Sequence, residues 1–287
     1  MTTSSRAATT AEPAPDEVLS LPPEVPVPDE VPQGWRPDTL LDGFESLTLT
    51  LETESLPDEG DEPLCATLVR RVDPRLRTAT RAVVHVHGWN DYFFHPHVAD
   101  FWEDQGFAFH ALDLRRYGRS LRPGQLRGYI ADLDDYAEEL DLALAVVRES
   151  HDSVLLTGHS TGGLTVSLYA SQRPGALAGL VLNSPWLDMW GPPAVTSMLK
   201  PLLREWSKRA PTSVFPVPES EENVYARAMH ASHGGEWDYS FDLKPEAAEP
   251  IRVGWFRAIL QGHARVARGL DIDCPVLVTT SGRTLWL

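Results

Sequence analysis

Five residues, Gly158-His159-Ser160-Thr161-Gly162, constrain this chain more than any other stretch. They stand between an apolar run, Ser153-Val154-Leu155-Leu156-Thr157, and a helix-like run over residues 164–170. A strand that turns into a helix within so few residues leaves no room for a Cβ at its flanks, and glycine alone meets that demand. The central residue is then held in a strained conformation with its hydroxyl above the sheet edge. Ser160 is therefore the candidate nucleophile.

The chain around this turn alternates between strand and helix patterns. Leu47-Thr48-Leu49-Thr50-Leu51 has period two and predicts a half-buried strand. Ala66-Thr67-Leu68-Val69-Arg70-Arg71-Val72 follows a Pro/Asp/Glu/Gly turn, which predicts a hairpin. Residues 82–88 and 107–113 read as further strands, the second buried, joined by a polar and aromatic segment. Leu133, Tyr136, Leu140, Leu144 and Val147 recur at spacings of three and four, predicting an amphipathic helix over 131–150. The acids Asp132, Asp134, Asp135, Glu138, Glu139 and Asp141 read as its solvated face. Residues 180–183 and 275–280 complete the strands. Such alternation implies an α/β fold with a mainly parallel sheet covered by helices on both faces.

Two stretches break the rhythm. Residues 1–37 are dense in proline, Pro37 included, and read as a disordered leader. Residues 188–270 mix prolines with Trp190, Trp206, Trp237 and Trp255 and read as an inserted helical cap. The expected plan is leader 1–37, core 38–187, cap 188–270 and a last core strand in 271–287.

A net charge of −16 argues against nucleic acid or an anionic membrane surface as partner. Cys65 and Cys274 lie far apart in sequence, which fits two small thiols in a reducing compartment. The start of the chain has no signal-peptide pattern, and no run approaches the ~20 apolar residues of a membrane span. The expected location is cytoplasmic.

Four motifs together resemble the α/β-hydrolase superfamily, in its lysophospholipase, monoacylglycerol-lipase and serine-aminopeptidase-like group. They are His87-Gly88-Trp89, Asp113-Leu114-Arg115-Arg116-Tyr117-Gly118-Arg119-Ser120, the turn at 158–162, and Asn183-Ser184-Pro185. The resemblance covers roughly residues 45–285. It implies that the backbone N–H groups of Trp89 and Thr161 face the oxyanion of a tetrahedral acyl intermediate. It also implies an acid just past the seventh strand and a histidine later still. No Asp or Glu follows Asp273 and no His follows His263. By the family pattern about 50 residues are missing, including the last strand and helix, so the chain is expected to be C-terminally truncated.

Within the chain, Asp188 is the candidate acid, although a helix-starting Asp is the plainer reading. His230, His233 and His263 read as surface or packing histidines, and His159 points away from the turn. His85 and His87 open a zinc-like spacing, but Trp89 and Asn90 stand where further ligands belong, so no metal is expected. Asp113 reads as a carboxylate that holds Arg115 and the Gly118 turn. The cap tryptophans bind an acyl chain or form the cap's own core.

The expected function is a serine hydrolase of carboxylic esters, lysophospholipase- or monoacylglycerol-lipase-like, with a small-molecule ester as partner and no cofactor. Two alternatives stand beside it. One is a catalytically impaired scaffold or binding protein without acid and base. The other is a serine aminopeptidase, for which Glu219, Glu221 and Glu222 are the cluster to test.

Overall fold

The computed structural model describes residues 34–73, 76–189, 193–216, 228–247 and 249–282. Eight strands form one sheet: β1 (Arg36–Pro37), β2 (Phe44–Thr50), β3 (Cys65–Arg71), β4 (Arg81–Val86), β5 (Ala108–Asp113), β6 (Ser153–His159), β7 (Gly179–Asn183) and β8 (Val276–Thr279), in the order β1-β2-β3-β5-β4-β6-β7-β8. The first strands pair antiparallel, and the five from β5 to β8 across the sheet are parallel. Crossovers run through α1 (Pro96–Asp104), α2 (Ala137–Arg148), α3 (Thr161–Gln172), α4 (Pro193–Arg209) and α5 (Val253–Ala267).

Period-two alternation divides the strands between two cores. Val69, Val83, Phe109 and Ala111 pack with α1 through Ala99. Leu68, Val84, Val86, Leu112 and Leu156 face α2, α3 and α5. β5 lies between β3 and β4 and is buried throughout, His110 and Asp113 included. α5 lies within the range read as cap, yet its Trp255, Ala258 and Ile259 pack in the main core.

Four details depart from the sequence reading. Arg36–Pro37 pairs with Glu45 and Ser46, so the leader's last residues are in the sheet. Pro37 fits there because β1 is an edge, where a missing N–H breaks no ladder. The aromatic segment before Gln105 contains α1, with Pro96 in its first turn. Glu139 is not on a solvated face: it is 0% exposed and takes the buried Arg115 guanidinium, with Arg115 Nε 3.0 Å from both carboxylate oxygens. Asp113 holds Arg119 rather than Arg115, at 2.9 Å.

The three arginines of the 113–120 motif thus reach three separate partners. Arg115 takes Glu138 and Glu139 from α2, and Arg116 takes Glu59 at 2.7 Å. Arg119 bridges Asp38 at 2.8 Å and Asp113. Gly118 makes the turn possible: at φ +44° a Cβ would lie 2.6 Å from the Asp113 carboxylate. Among the described residues no helix is long and apolar enough to cross a membrane. Cys65 is buried, Cys274 is half-buried, and both are free thiols.

Candidate active site

Ser160 sits between β6 and α3 at φ 52° and ψ −117°, a region that non-glycine residues rarely occupy. The strain is held from three sides. Ser160 N–H donates to the Asn183 carbonyl at 3.2 Å, and its own carbonyl accepts from Leu164 N–H at 3.3 Å and Trp186 N–H at 2.9 Å. The glycines are steric necessities. A Cβ on Gly158 would meet the Gly162 carbonyl oxygen at 2.6 Å, and one on Gly162 would meet the His87 carbonyl oxygen at 2.2 Å.

The second wall is the turn after β4. His87 is buried, and its Nε2 accepts from Leu114 N–H at 3.1 Å, so its proton lies on Nδ1, which donates to the Gly88 carbonyl at 2.7 Å. Tyr117 closes on the ring edge-on at 4.8 Å. This clamps the peptide units leading to Trp89. Gly88 lies so near that a Cβ there would be 3.2 Å from Ser160 Cβ. Thr161 N–H is the first of α3 and has no intrahelical acceptor. Trp89 N–H donates to no acceptor among the described residues.

An aromatic wall rises beside the turn. Trp89 lies 4.9 Å from Trp255, Trp255 lies 6.2 Å from Trp186, and Trp186 meets His263 edge-on at 5.1 Å. His263 Nε2 donates to the Trp186 carbonyl at 2.9 Å, while its Nδ1 is buried without a partner. Burial holds the His263 pKa below its ordinary value.

The sequence-predicted residues fall into two sets. Ser160, Thr161 and Trp89 come together at the ends of β4 and β6. Asp188 is exposed and accepts from its neighbour Met189 N–H at 2.8 Å. His159 turns to the Asn183 carbonyl at 3.1 Å. His230 stacks on Phe241 at 4.1 Å, and His233 pairs with Glu246 at 2.9 Å. Among the described residues no histidine or carboxylate is hydrogen-bonded to the Ser160 hydroxyl, and no group of three or more His, Cys, Asp or Glu is placed to hold a metal. Glu219, Glu221 and Glu222 lie outside the described residues.

Sequence reasoning missed the buried pair of Asp91 and Lys244, 2.8 Å apart. It ties residues just past Trp89 to the 228–247 segment, and Lys244 Nζ lies 5.0 Å from the Phe94 ring centroid. No local pattern signals a contact across 153 residues.

A parallel sheet with a strained serine at its strand ends defines an α/β-hydrolase. The model of the serine aminopeptidase S33 hydrolases matches residues 77–283, and the chain belongs to that family. The phospholipase YtpA of Bacillus subtilis (strain 168) is 29% identical over 109 residues, 37% of this chain and 41% of that protein. The match thus spans about two fifths of that relative's length. Two solved structures share the fold. A monoacylglycerol lipase of Paleococcus ferrophilus aligns with TM-score 0.51 and 22% identity over 68% of this chain and 71% of its own. A carboxyl esterase of Bacillus coagulans aligns with TM-score 0.55 and 16% identity over 82% and 79%.

Proposed function

We propose that the chain hydrolyses carboxylic esters through an acyl-Ser160 intermediate. Ser160 Oγ attacks the ester carbonyl carbon and its proton passes to a general base. The carbonyl oxygen becomes an oxyanion and accepts hydrogen bonds from Trp89 N–H and Thr161 N–H. Collapse expels the alcohol, which takes up the proton, and water then releases the acid by the same sequence. Fixed donors at a developing oxyanion contribute about 3–4 kcal/mol each to lowering the barrier.

The observation that carries this reading is the strained backbone of Ser160, abutting a turn that His87 clamps. Such strain is costly to retain and concentrates at functional sites. In this reading residues 188–270 form a cap, and the wall of Trp89, Trp186 and Trp255 receives the acyl chain. The favoured substrates are single-chain lipid esters, in keeping with the phospholipase and lipase relatives. The base and its acid are the unassigned roles, since His159, His230, His233 and His263 are each engaged elsewhere. Amide cleavage at a free amino terminus is the second reading, favoured by the family's description.

Intact-mass detection of fluorophosphonate labelling tests the reading, with Ser160→Ala as control. One adduct, lost in the variant, is expected. Absence of an adduct on folded protein overturns the acyl-serine reading in favour of an impaired scaffold. Hydrolysis of aminoacyl amides in preference to monoacyl esters would select the second reading.

A further inference from the structure

The loop that carries Trp89 N–H is held by side chains rather than by a backbone ladder. Among the described residues Gly88 to Tyr92 form no hydrogen bond between backbone groups. The His87 clamp fixes the upstream end of the loop, and Phe93 N–H fixes the downstream end by donating to Asp113 Oδ1 at 2.8 Å. Between these ends stands a strained residue, Asn90 at φ 52°. Asparagine tolerates the left-handed region when its side chain bonds locally. Asn90 Oδ1 is buried and accepts no hydrogen bond among the described residues. The conformation is therefore imposed from outside the residue.

The 228–247 segment supplies two ties inside this gap. Asp91 Oδ1 takes Lys244 Nζ at 2.8 Å, and the two side chains are 11% and 7% exposed. Tyr92 Oη accepts from Ser240 N–H at 3.0 Å. Lys244 is itself set in place from several directions. Its Nζ lies 5.0 Å from the ring centroids of both Phe94 and Tyr239. Its backbone N–H donates to the Ser240 carbonyl at 2.9 Å. Arg127 donates to the carbonyls of Asp242 and Leu243 at 2.7 and 2.8 Å, which fixes the backbone from which Lys244 extends. A charge-assisted hydrogen bond in so buried a place is short and directional, so it dictates where the Asp91 carboxylate lies.

We infer that Lys244 is a positioning residue for the oxyanion turn: through Asp91 it holds Asn90 in its left-handed conformation and keeps Trp89 N–H aimed at the reacting carbonyl. The catalytic side of this inference rests on the acyl-serine reading, whereas the anchoring of the turn does not. A donor to a developing oxyanion has to be in place before the charge appears. A misplacement of about 1 Å costs on the order of a hundredfold in rate. The tie acts on an interaction that matures in the transition state, so its loss lowers kcat and leaves KM unchanged.

Asp91→Asn combined with Lys244→Met removes both charges at similar bulk and leaves no lone charge buried. Nitrogen relaxation at the Trp89 backbone N–H, the rate of fluorophosphonate addition to Ser160 and hydrolysis of a short-chain ester are read on the full chain. The Trp89 order parameter should fall from ~0.85 to below ~0.6. The labelling rate and kcat should fall about a hundredfold at unchanged KM, in a variant that still melts in one transition. Should the double variant fail to fold, Lys244→Gln, which keeps a hydrogen-bond donor toward Asp91, carries the same expectation with smaller shifts. A wild-type order parameter in the folded variant overturns the inference, and a lowered melting temperature beside it would mark a purely structural tie. A raised KM at unchanged kcat overturns it as well. Wild-type protein that takes no label fails the acyl-serine reading instead, and the order parameter alone then decides whether Lys244 holds the turn.

Discussion

Gly162 and His87 touch backbone to backbone: a Cβ on the glycine would sit 2.2 Å from the His87 carbonyl oxygen. The start of α3 and the turn after β4 are therefore one rigid unit, in which neither the serine nor the turn moves alone. Gly162→Ala must push that unit apart. It should lower stability by about 3 kcal/mol and abolish fluorophosphonate labelling. A melting curve and an intact-mass spectrum of the variant check both, and a labelled, wild-type-stable G162A would show that the unit is not rigid.

Arg119 joins Asp38 and Asp113, two carboxylates that are almost fully buried. Burial alone would raise the Asp38 pKa, but hydrogen bonds and charge from Arg119 outweigh it and hold the carboxyl below its usual range. Arg119→Ala leaves both carboxylates buried without their cation and should cost about 3–5 kcal/mol in urea unfolding. A loss below about 1 kcal/mol would mean that water replaces the guanidinium.

Three histidines make the fold sensitive to acid. Burial lowers His85 and His110 to about 3 and His95 to about 4, from 6.5. Between those values the unfolded chain binds more protons than the folded one, so stability rises with pH across that window. It is complete above pH ~6.5 and falls by about 2 kcal/mol per histidine on going to pH 5. Thermal melts from pH 7 to 5 should show the decline, and His110→Phe should make it shallower. A flat profile would contradict neutral burial.

In the proposed mechanism Trp89 offers its backbone to one task and its ring to another. Trp89→Ala keeps the N–H but removes the ring that packs 4.9 Å from Trp255. Labelling of Ser160 should persist, while the ratio of kcat/KM for long-chain over short-chain esters falls about tenfold. An unchanged ratio would place the acyl chain elsewhere.

The outer strand β8 exposes Val276, Leu277 and Val278 at 44%, 57% and 50%. Among the described residues β8 has a strand neighbour on one side only, and an apolar edge of that kind is a template for pairing with another chain. Leu277→Lys should reduce concentration-dependent light scattering at unchanged melting temperature.

Much of this was legible in the residues, for identifiable reasons. The turn at Ser160 depends on sterics within five residues, and glycine spacing records that locally. The strands declare themselves because each must feed two cores by alternation. α1 was hidden because Phe101, Trp102 and His97 read equally well as strand or loop. The partners of the 113–120 arginines were hidden for another reason. Which carboxylate an arginine meets depends on where a tight turn aims it, and Asp38 and Glu59 are 81 and 57 residues away. An acid facing such an arginine looks, in sequence, like any solvated acid, as Glu139 did.

Those pairings carry a consequence for how the gene can vary. Asp38 with Arg119, Glu59 with Arg116 and Glu139 with Arg115 are three couplets in which either member alone is a liability once the other is lost. Drift at these positions should therefore proceed by paired replacement, acid and arginine exchanged together for apolar residues of similar bulk. Homologues compared along the lineage should show correlated change at 38/119, 59/116 and 139/115, while the acids that merely face water wander independently.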